Sequence, residues 1–188
     1  MILGINGYAR SGKDTVGQII KDLQPEKNWE IKKFAGKLKQ IASLLTNIPE
    51  EKMEDAYFKT QALSSEWWTP CDEGLQPMTG REFLQKLGTD ALRNGLHTNV
   101  WVNALMSEHS KNKNWVVTDV RFPNEAEIIK AKKGVIIRID RPGVKAVNNH
   151  ASETGLDNWN FDYKIANVSD KIALKQSVES ILKHLNIL

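Results

Sequence analysis

The chain has 188 residues but a single cysteine, Cys71. One thiol closes no internal disulfide and completes no multi-cysteine metal site, so a reducing, cytoplasmic setting is expected. Four histidines occur, and none stands at zinc-ligand spacing from another. No apolar run approaches the ~18 residues that a membrane helix needs, so no membrane association is expected. The opening MILGING lacks the basic flank of a signal peptide and runs directly into a glycine-bearing motif. Repeats, low-complexity tracts and Ser/Gly linkers are missing, which excludes repeat arrays and loosely tethered modules. Charge of one sign is scarce: 26 Lys+Arg against 23 Asp+Glu leaves +3. That is too little to argue nucleic-acid binding. The lysine groups Lys111/Lys113 and Lys130/Lys132/Lys133 also lack interleaved aromatics, though a mild positive balance suits small anionic ligands.

What remains, 40% hydrophobic and 26% charged residues, is an ordinary globular composition. The length predicts one domain over 1–188, with a substrate-side insert near 49–78 and a lid-like segment near 141–160. Met1–Asn6 reads as a buried strand stopped by Gly7. Val16, Ile19, Ile20 and Leu23 then fall on one helix face, and Pro25 ends that helix. Trp29–Phe34 predicts a second strand, and Leu38, Ile41, Ala42 and Leu45 a second helix. Pro49–Pro77 has no clear period and predicts a loop-rich excursion with one helix at most. Thr79-Gly-Arg-Glu82 has capping-box form and should open a helix running to Gly95. A helix holding Val102, Leu105 and Met106, a strand Trp115–Asp119 and a helix Pro123–Lys132 follow. A strand Gly134–Asp140, a polar stretch to Asn160, a strand Asp162–Ala166 and a helix Asp170–Leu188 complete the chain. Strands alternate with helices, so the expected class is α/β, a doubly wound, mostly parallel sheet flanked by helices.

One motif sits where chemistry is expected. Gly7-Tyr-Ala-Arg-Ser-Gly12-Lys13-Asp14-Thr15 matches the phosphate-binding pattern GxxxxGK, with a strand before it and an amphipathic helix after it. The residue types suit the task. Glycines let the backbone curl so that successive N–H groups face phosphate oxygens, the helix N-terminus adds its positive end, and Lys13 adds a cation. The usual Ser/Thr after the lysine is replaced by Asp14, with Thr15 one residue later. Either of these, with Asp119, is a candidate Mg²⁺ ligand.

The second constellation is Thr118-Asp-Val-Arg-Phe-Pro-Asn-Glu125. Asp119 stands where a strand ends, the edge at which open α/β sheets bind ligands. Arg121 follows at the same mouth, and Glu125 on the next helical turn is placed to orient it. The bland alternatives are a capping acid, a surface ion pair and a dipole-matched surface acid.

The pieces GYARSGKDT, GREFLQKLGTDALRNGLHTNVWVNAL, TDVRFPNEAEII, RIDRPG and HASE together resemble the bacteriophage-type deoxynucleoside monophosphate kinases, a branch of the P-loop kinases. The resemblance spans residues 7–153 and leaves Pro49–Pro77 unmatched. It implies transfer of a phosphoryl group from ATP, with Mg²⁺, to a deoxynucleoside 5′-monophosphate, in a host cytoplasm if phage-encoded. A homodimer is compatible with it. Gly7, Arg10, Ser11, Gly12, Lys13, Asp14 and Thr15 would serve ATP and metal. Asp119, Arg121 and Glu125 would serve catalysis and the acceptor, with Arg121 binding it. Arg81, Thr89, Arg93, Trp101 and His150 would lie near the acceptor.

The residues themselves fit phosphoryl transfer, which needs positioning and charge neutralisation rather than a nucleophile triad. Arginine's planar fork answers the repulsion between two polyanions. Arg138 and Arg141 end a strand and open the lid-like segment, where they would carry charge over ATP. A surface role for them and for Arg10 stands equally, as does a core role for Trp101. Trp67 and Trp68 read as packing, His109 and His184 as water-facing. Two rivals stand beside this reading. One is a P-loop kinase for another small acceptor. The other is a nucleotide-binding regulator or nucleic-acid-associated ATPase that uses the loop without an acceptor.

Overall fold

A computed structural model describes residues 1–188. The chain packs as two units, Met1–Phe34 with Leu105–Leu188, and Ala35–Ala104.

The first unit is built on five strands: β1 (Ile2–Asn6), β2 (Glu30–Lys32), β5 (Trp115–Val117), β6 (Val135–Asp140) and β7 (Tyr163–Ala166). They form one sheet in the order β2-β5-β1-β6-β7, every pairing parallel. Parallel strands covered on both faces read as unbroken apolar runs, and all five residues of β1 are buried. Leu3 and Ile5 of β1, Val116 of β5 and Ile137 and Ile139 of β6 share one core. The same core takes Val16, Ile19 and Ile20 of α1 (Lys13–Leu23) and Leu174, Val178, Ile181 and Leu182 of α7 (Lys171–His184). On the other face lies α5 (Pro123–Ala131). A side chain at Gly4 would come within 2.9 Å of Ile129 and 3.1 Å of Val120. The expected doubly wound α/β arrangement is thus present, and the faces of α1 and α7 read from the i, i+3, i+4 spacing are those that pack inward, whereas Leu45 of the second predicted helix is exposed.

The order places β1 between two strands that arrive much later in the chain. The C-terminal ends of β1, β5 and β6 therefore meet at one edge, where the chain direction across the sheet reverses. Such edges are where α/β sheets open a crevice.

The second unit holds α2 (Gly36–Thr46), the hairpin β3 (Thr69–Cys71) and β4 (Gly74–Gln76), α3 (Gly80–Gln85) and the start of α4 (Val100–Met106), which leads back to the first unit. Ala42, Met53, Leu63 and Phe83 form its core, with Trp67 edge-on to Phe83 at 4.9 Å. Trp67 and Trp68 are packing residues, as read; the Trp68 indole donates to the Leu63 carbonyl. Pro49–Pro77 is the loop-rich excursion expected, carrying three short 3-10 turns and the hairpin. One expectation needs correction. The helix opened by the Thr79/Glu82 capping box does form, but from Lys86 to Asn94 it widens into π turns. Wide turns shift backbone carbonyls off the regular ladder, and the Gly88 carbonyl accepts from the Trp101 indole at 2.8 Å.

His109 is also not water-facing. It stands edge-on to Trp115 at 4.7 Å with its Nε2 buried. His184 is exposed. The short α6 (Ala151–Thr154) breaks the polar stretch after β6. No helix is long and apolar enough to cross a membrane.

Because Ile137 lies on an inner strand of the sheet, paired on both sides and buried in the main core, Ile137→Ala should lower unfolding free energy by about 2–5 kcal/mol, seen as an earlier midpoint in urea.

Candidate active site

The loop between β1 and α1 is set by backbone geometry. Gly7 has φ +151°, and a Cβ there would lie 2.5 Å from Ser11 Oγ and 2.6 Å from the Ile139 carbonyl. Gly12 has φ +106°, with Asn167 Nδ2 only 2.8 Å from where a Cβ would stand. Arg10 between them is also left-handed, at φ 66°. These positions force the chain to curl against the ends of β6 and β7. Asn167 holds the curl by donating from Nδ2 to the Ser11 carbonyl at 2.9 Å while its own amide bonds the Asp140 carbonyl.

Three features of this loop fit a bound phosphate. No side chain caps the N-terminus of α1 at Gly12, so the first-turn amides keep their donor capacity for an anion. The Ser11 hydroxyl is buried and makes no hydrogen bond within the protein, a cost that an added acceptor relieves. Lys13 donates to the Tyr8 carbonyl at 2.7 Å. Burial and then the nearby Arg121 charge bring its pKa from 10.5 to about 8, against the pull of Asp14, Glu153 and Asp119.

Asp14, in place of the usual hydroxyl residue, accepts from the Thr118 hydroxyl at 2.8 Å and pairs with Lys33 at 3.1 Å. Its side chain is 71% exposed. Burial raises its pKa, but Lys33 and the Thr118 bond outweigh this and hold it below the ordinary value. The Asp14 carboxylate on the helix thus meets the Thr118 hydroxyl at the strand end. Thr15 is exposed on α1. Asp119 is buried just past β5 and accepts from the Phe34 amide at 2.8 Å. The exit of β2 is thus tied to both acids, through Lys33 and Phe34. Sequence reasoning missed Lys33, although a cation following a strand that ends at this edge was a usable signal. Asp14 and Asp119 are hard oxygen donors of the kind Mg²⁺ takes, one or two carboxylates beside phosphate oxygens and water.

Arg121 is 36% exposed and donates from Nη1 to Glu153 at 2.9 Å and to the Ser152 carbonyl at 3.1 Å. Glu125 is buried and accepts from the amides of Arg121 and Phe122, at 2.8 and 3.1 Å. It fixes the backbone at this corner and caps α5.

The other candidates of the first unit divide. Arg138 is buried, donating to Asn6 at 2.6 Å and Asp140 at 2.8 Å, with its guanidinium 4.6 Å from the Tyr8 ring centre. It braces β1, β6 and the loop. Arg141 is exposed and reaches the Arg10 carbonyl at 3.4 Å; Arg10 is exposed as well. His150 caps α6, its Nδ1 accepting from the Ser152 amide.

In the second unit, Arg93 is buried and donates to the Thr98 carbonyl at 3.0 Å, Trp101 is buried against Gly88, and Arg81 and Thr89 are half-buried on α3 and its π-wound continuation. The core alternative for Trp101 is therefore satisfied.

The sequence profile of the family described as deoxynucleotide monophosphate kinase matches residues 57–178. The chain belongs to the deoxynucleotide monophosphate kinase family. A protein of Acanthamoeba polyphaga mimivirus named for the same activity is 31% identical over 170 residues, covering 83% of this chain and 82% of that protein. The deoxynucleoside-5′-monophosphate kinase of Escherichia phage T5 is 24% identical over 228 residues, 92% of this chain and 91% of its own. The deoxynucleotide monophosphate kinase of Enterobacteria phage T4 is 28% identical over 108 residues, 55% of this chain and 45% of its own. For this kinase family member the loop, Asp119 and Arg121 form the candidate centre.

The state of Lys13 gives a testable pH dependence. In the free protein its protonation costs folding energy in full below about 8, and the cost fades as pH rises towards 10.5. An anion prefers protonated Lys13 and raises its pKa. Affinity for a nucleoside triphosphate should therefore be level from about pH 7 to 8, then fall by up to about tenfold per unit above 8. Calorimetric titration across this range checks it; a level profile to about pH 9.5 contradicts it.

Proposed function

We propose that the protein transfers the γ-phosphoryl group of ATP to a deoxynucleoside 5′-monophosphate, giving the diphosphate and ADP. The observation that carries this reading is the loop: a buried unpartnered Ser11 hydroxyl, an uncapped helix start and a depressed Lys13 converge on one anion-sized demand. Family membership supplies the acceptor class.

An oxygen of the acceptor phosphate attacks the γ-phosphorus, and the bond to the β–γ bridging oxygen breaks. That acceptor oxygen is already ionised near neutral pH, so no strong general base is required. The chain's task is to bring two polyanions together and spread their charge. Gly7–Thr15 curls around the donor phosphates, with Arg10, Ser11 and the first-turn amides as donors and Lys13 as the cation. Arg121 takes the acceptor phosphate, since only its Nη1 is engaged within the protein and the rest of its fork is open for bidentate contact. Glu125 holds the backbone on which Arg121 stands. Asp14, Thr15 and Asp119 would hold Mg²⁺, which when bound neutralises charge on the transferring group. Arg138 supports the loop through Tyr8, and Arg141 lies beside Arg10 on the donor side. Acceptor contacts at Arg81, Thr89, Arg93, Trp101 and His150 rest on the family resemblance alone.

A coupled assay over the deoxy- and ribonucleoside monophosphates with MgATP tests the reading. At least one deoxynucleotide should stimulate ADP release; stimulation by an unrelated metabolite alone would overturn it. Lys13→Ala should lower kcat by about 10²–10³-fold without lowering the melting temperature, and should raise it where the buried ammonium is charged in the free protein.

A further inference from the structure

We infer that Glu153 is a positioning residue for the acceptor, acting through Arg121, and that residues 150–157 form a strap that sets Arg121 relative to the phosphate loop. The inference rests on the role proposed above for Arg121.

The Glu153 side chain is only 2% exposed, while that of its partner Arg121 is 36% exposed. A carboxylate is seldom buried this far without a task, because desolvation is costly and half a buried pair is costlier still. Here the buried member is the acid and the open member is the cation, the arrangement needed when the cation must face a ligand in a fixed pose. Glu153 and the Ser152 carbonyl both take Nη1 of Arg121. They hold one corner of the fork and leave Nη2 and Nε without an acceptor in the protein.

The strap meets Arg121 a second time. A Cβ at Gly155 would lie 2.9 Å from the Arg121 carbonyl, so only a residue without a side chain lets the turn sit this close. Four residues beyond Glu153, Asp157 accepts from the Tyr8 hydroxyl at 2.8 Å, and Arg138 lies 3.7 Å from the same carboxylate. Tyr8 in turn gives its carbonyl to Lys13. One short segment therefore holds the acceptor arginine with one acid and the loop carrying Lys13 with another. Their separation is a property of the strap, and His150 starts it by capping α6.

The test is steady-state kinetics with MgATP and the best of the common deoxynucleotides, with melting temperatures recorded alongside. At about pH 7, where Lys13 stays protonated, Glu153→Ala should raise KM for the deoxynucleotide about tenfold or more and change KM for ATP several-fold less, since Glu153 is only one of three acids acting on Lys13. Glu153→Gln, which keeps an acceptor for Arg121, should restore most of the loss. In an Arg121→Ala background, Glu153→Ala should add less than about twofold, since its effect runs through the missing guanidinium. Should Glu153→Ala not fold, Glu153→Asp, which keeps the charge but shortens the reach, should still raise the deoxynucleotide KM selectively.

Equal rises in both KM values, or a full Glu153 effect without Arg121, would overturn the positioning role. So would an unchanged KM in Glu153→Ala or Glu153→Asp where Arg121→Ala is impaired. If Arg121→Ala leaves deoxynucleotide use intact, the role of Arg121 itself falls, and the inference with it.

Discussion

Lys13 and Arg121 are two cations that the fold holds near each other against their repulsion. Burial lowers the lysine first, the arginine adds to it, and the acids Asp14, Glu153 and Asp119 offset only part of the sum. Left alone, the arrangement is electrostatically unsatisfied. A polyanion placed between the two charges relieves both the desolvation of the ammonium and the like-charge strain. The same ligand would give the buried Ser11 hydroxyl its missing partner. On the proposed reading, this strain in the free protein is what a bound phosphate would relieve, which suits phosphoryl transfer, a reaction driven by holding charge in place rather than by covalent chemistry.

The sheet is what makes that geometry affordable. β1 runs between β5 and β6, so the loop after β1, Asp119 after β5 and Arg138 of β6 converge without any long reach. Gly7 is pressed against the β6 carbonyl of Ile139, and Asn167 from the end of β7 ties the loop at Ser11. Thr118 joins β5 to Asp14 on α1, and Phe34 joins the exit of β2 to Asp119. Each strand end of the first unit contributes a tether, and the rigid layer beneath them rests on the core of Leu3, Ile5, Val116, Ile137 and Ile139.

Most of this frame was legible in the sequence because its signals are local. The apolar run at Ile2–Asn6, the four-residue gap between Gly7 and Gly12, the α1 and α7 faces, and the Thr79/Glu82 box each declare themselves within about ten residues, the range over which periodicity and capping act. What stayed hidden is pairing at a distance. Arg138 reads as a cation at a strand end, but Asn6 and Tyr8, some 130 positions away, turn it into a brace. Glu153 reads as a loop acid until Arg121 appears beside it. His109 reads as a surface residue until Trp115 covers it. Pro49–Pro77 resisted reading for another reason: prolines at 49, 70 and 77 and the lack of a period leave short turns and a small hairpin with no repeating signal. The π turns at Lys86–Asn94 share the spacing of an α-helix closely enough to pass for one.

In the proposed reaction the backbone of Tyr8–Thr15 grips a polyphosphate. A heteronuclear NMR titration of the isotopically labelled protein with ATP and Mg²⁺ tests it most directly. The largest saturable amide shifts should fall on Ser11, Gly12, Lys13 and Asp14. Saturable nucleotide binding that leaves those amides unmoved would contradict it.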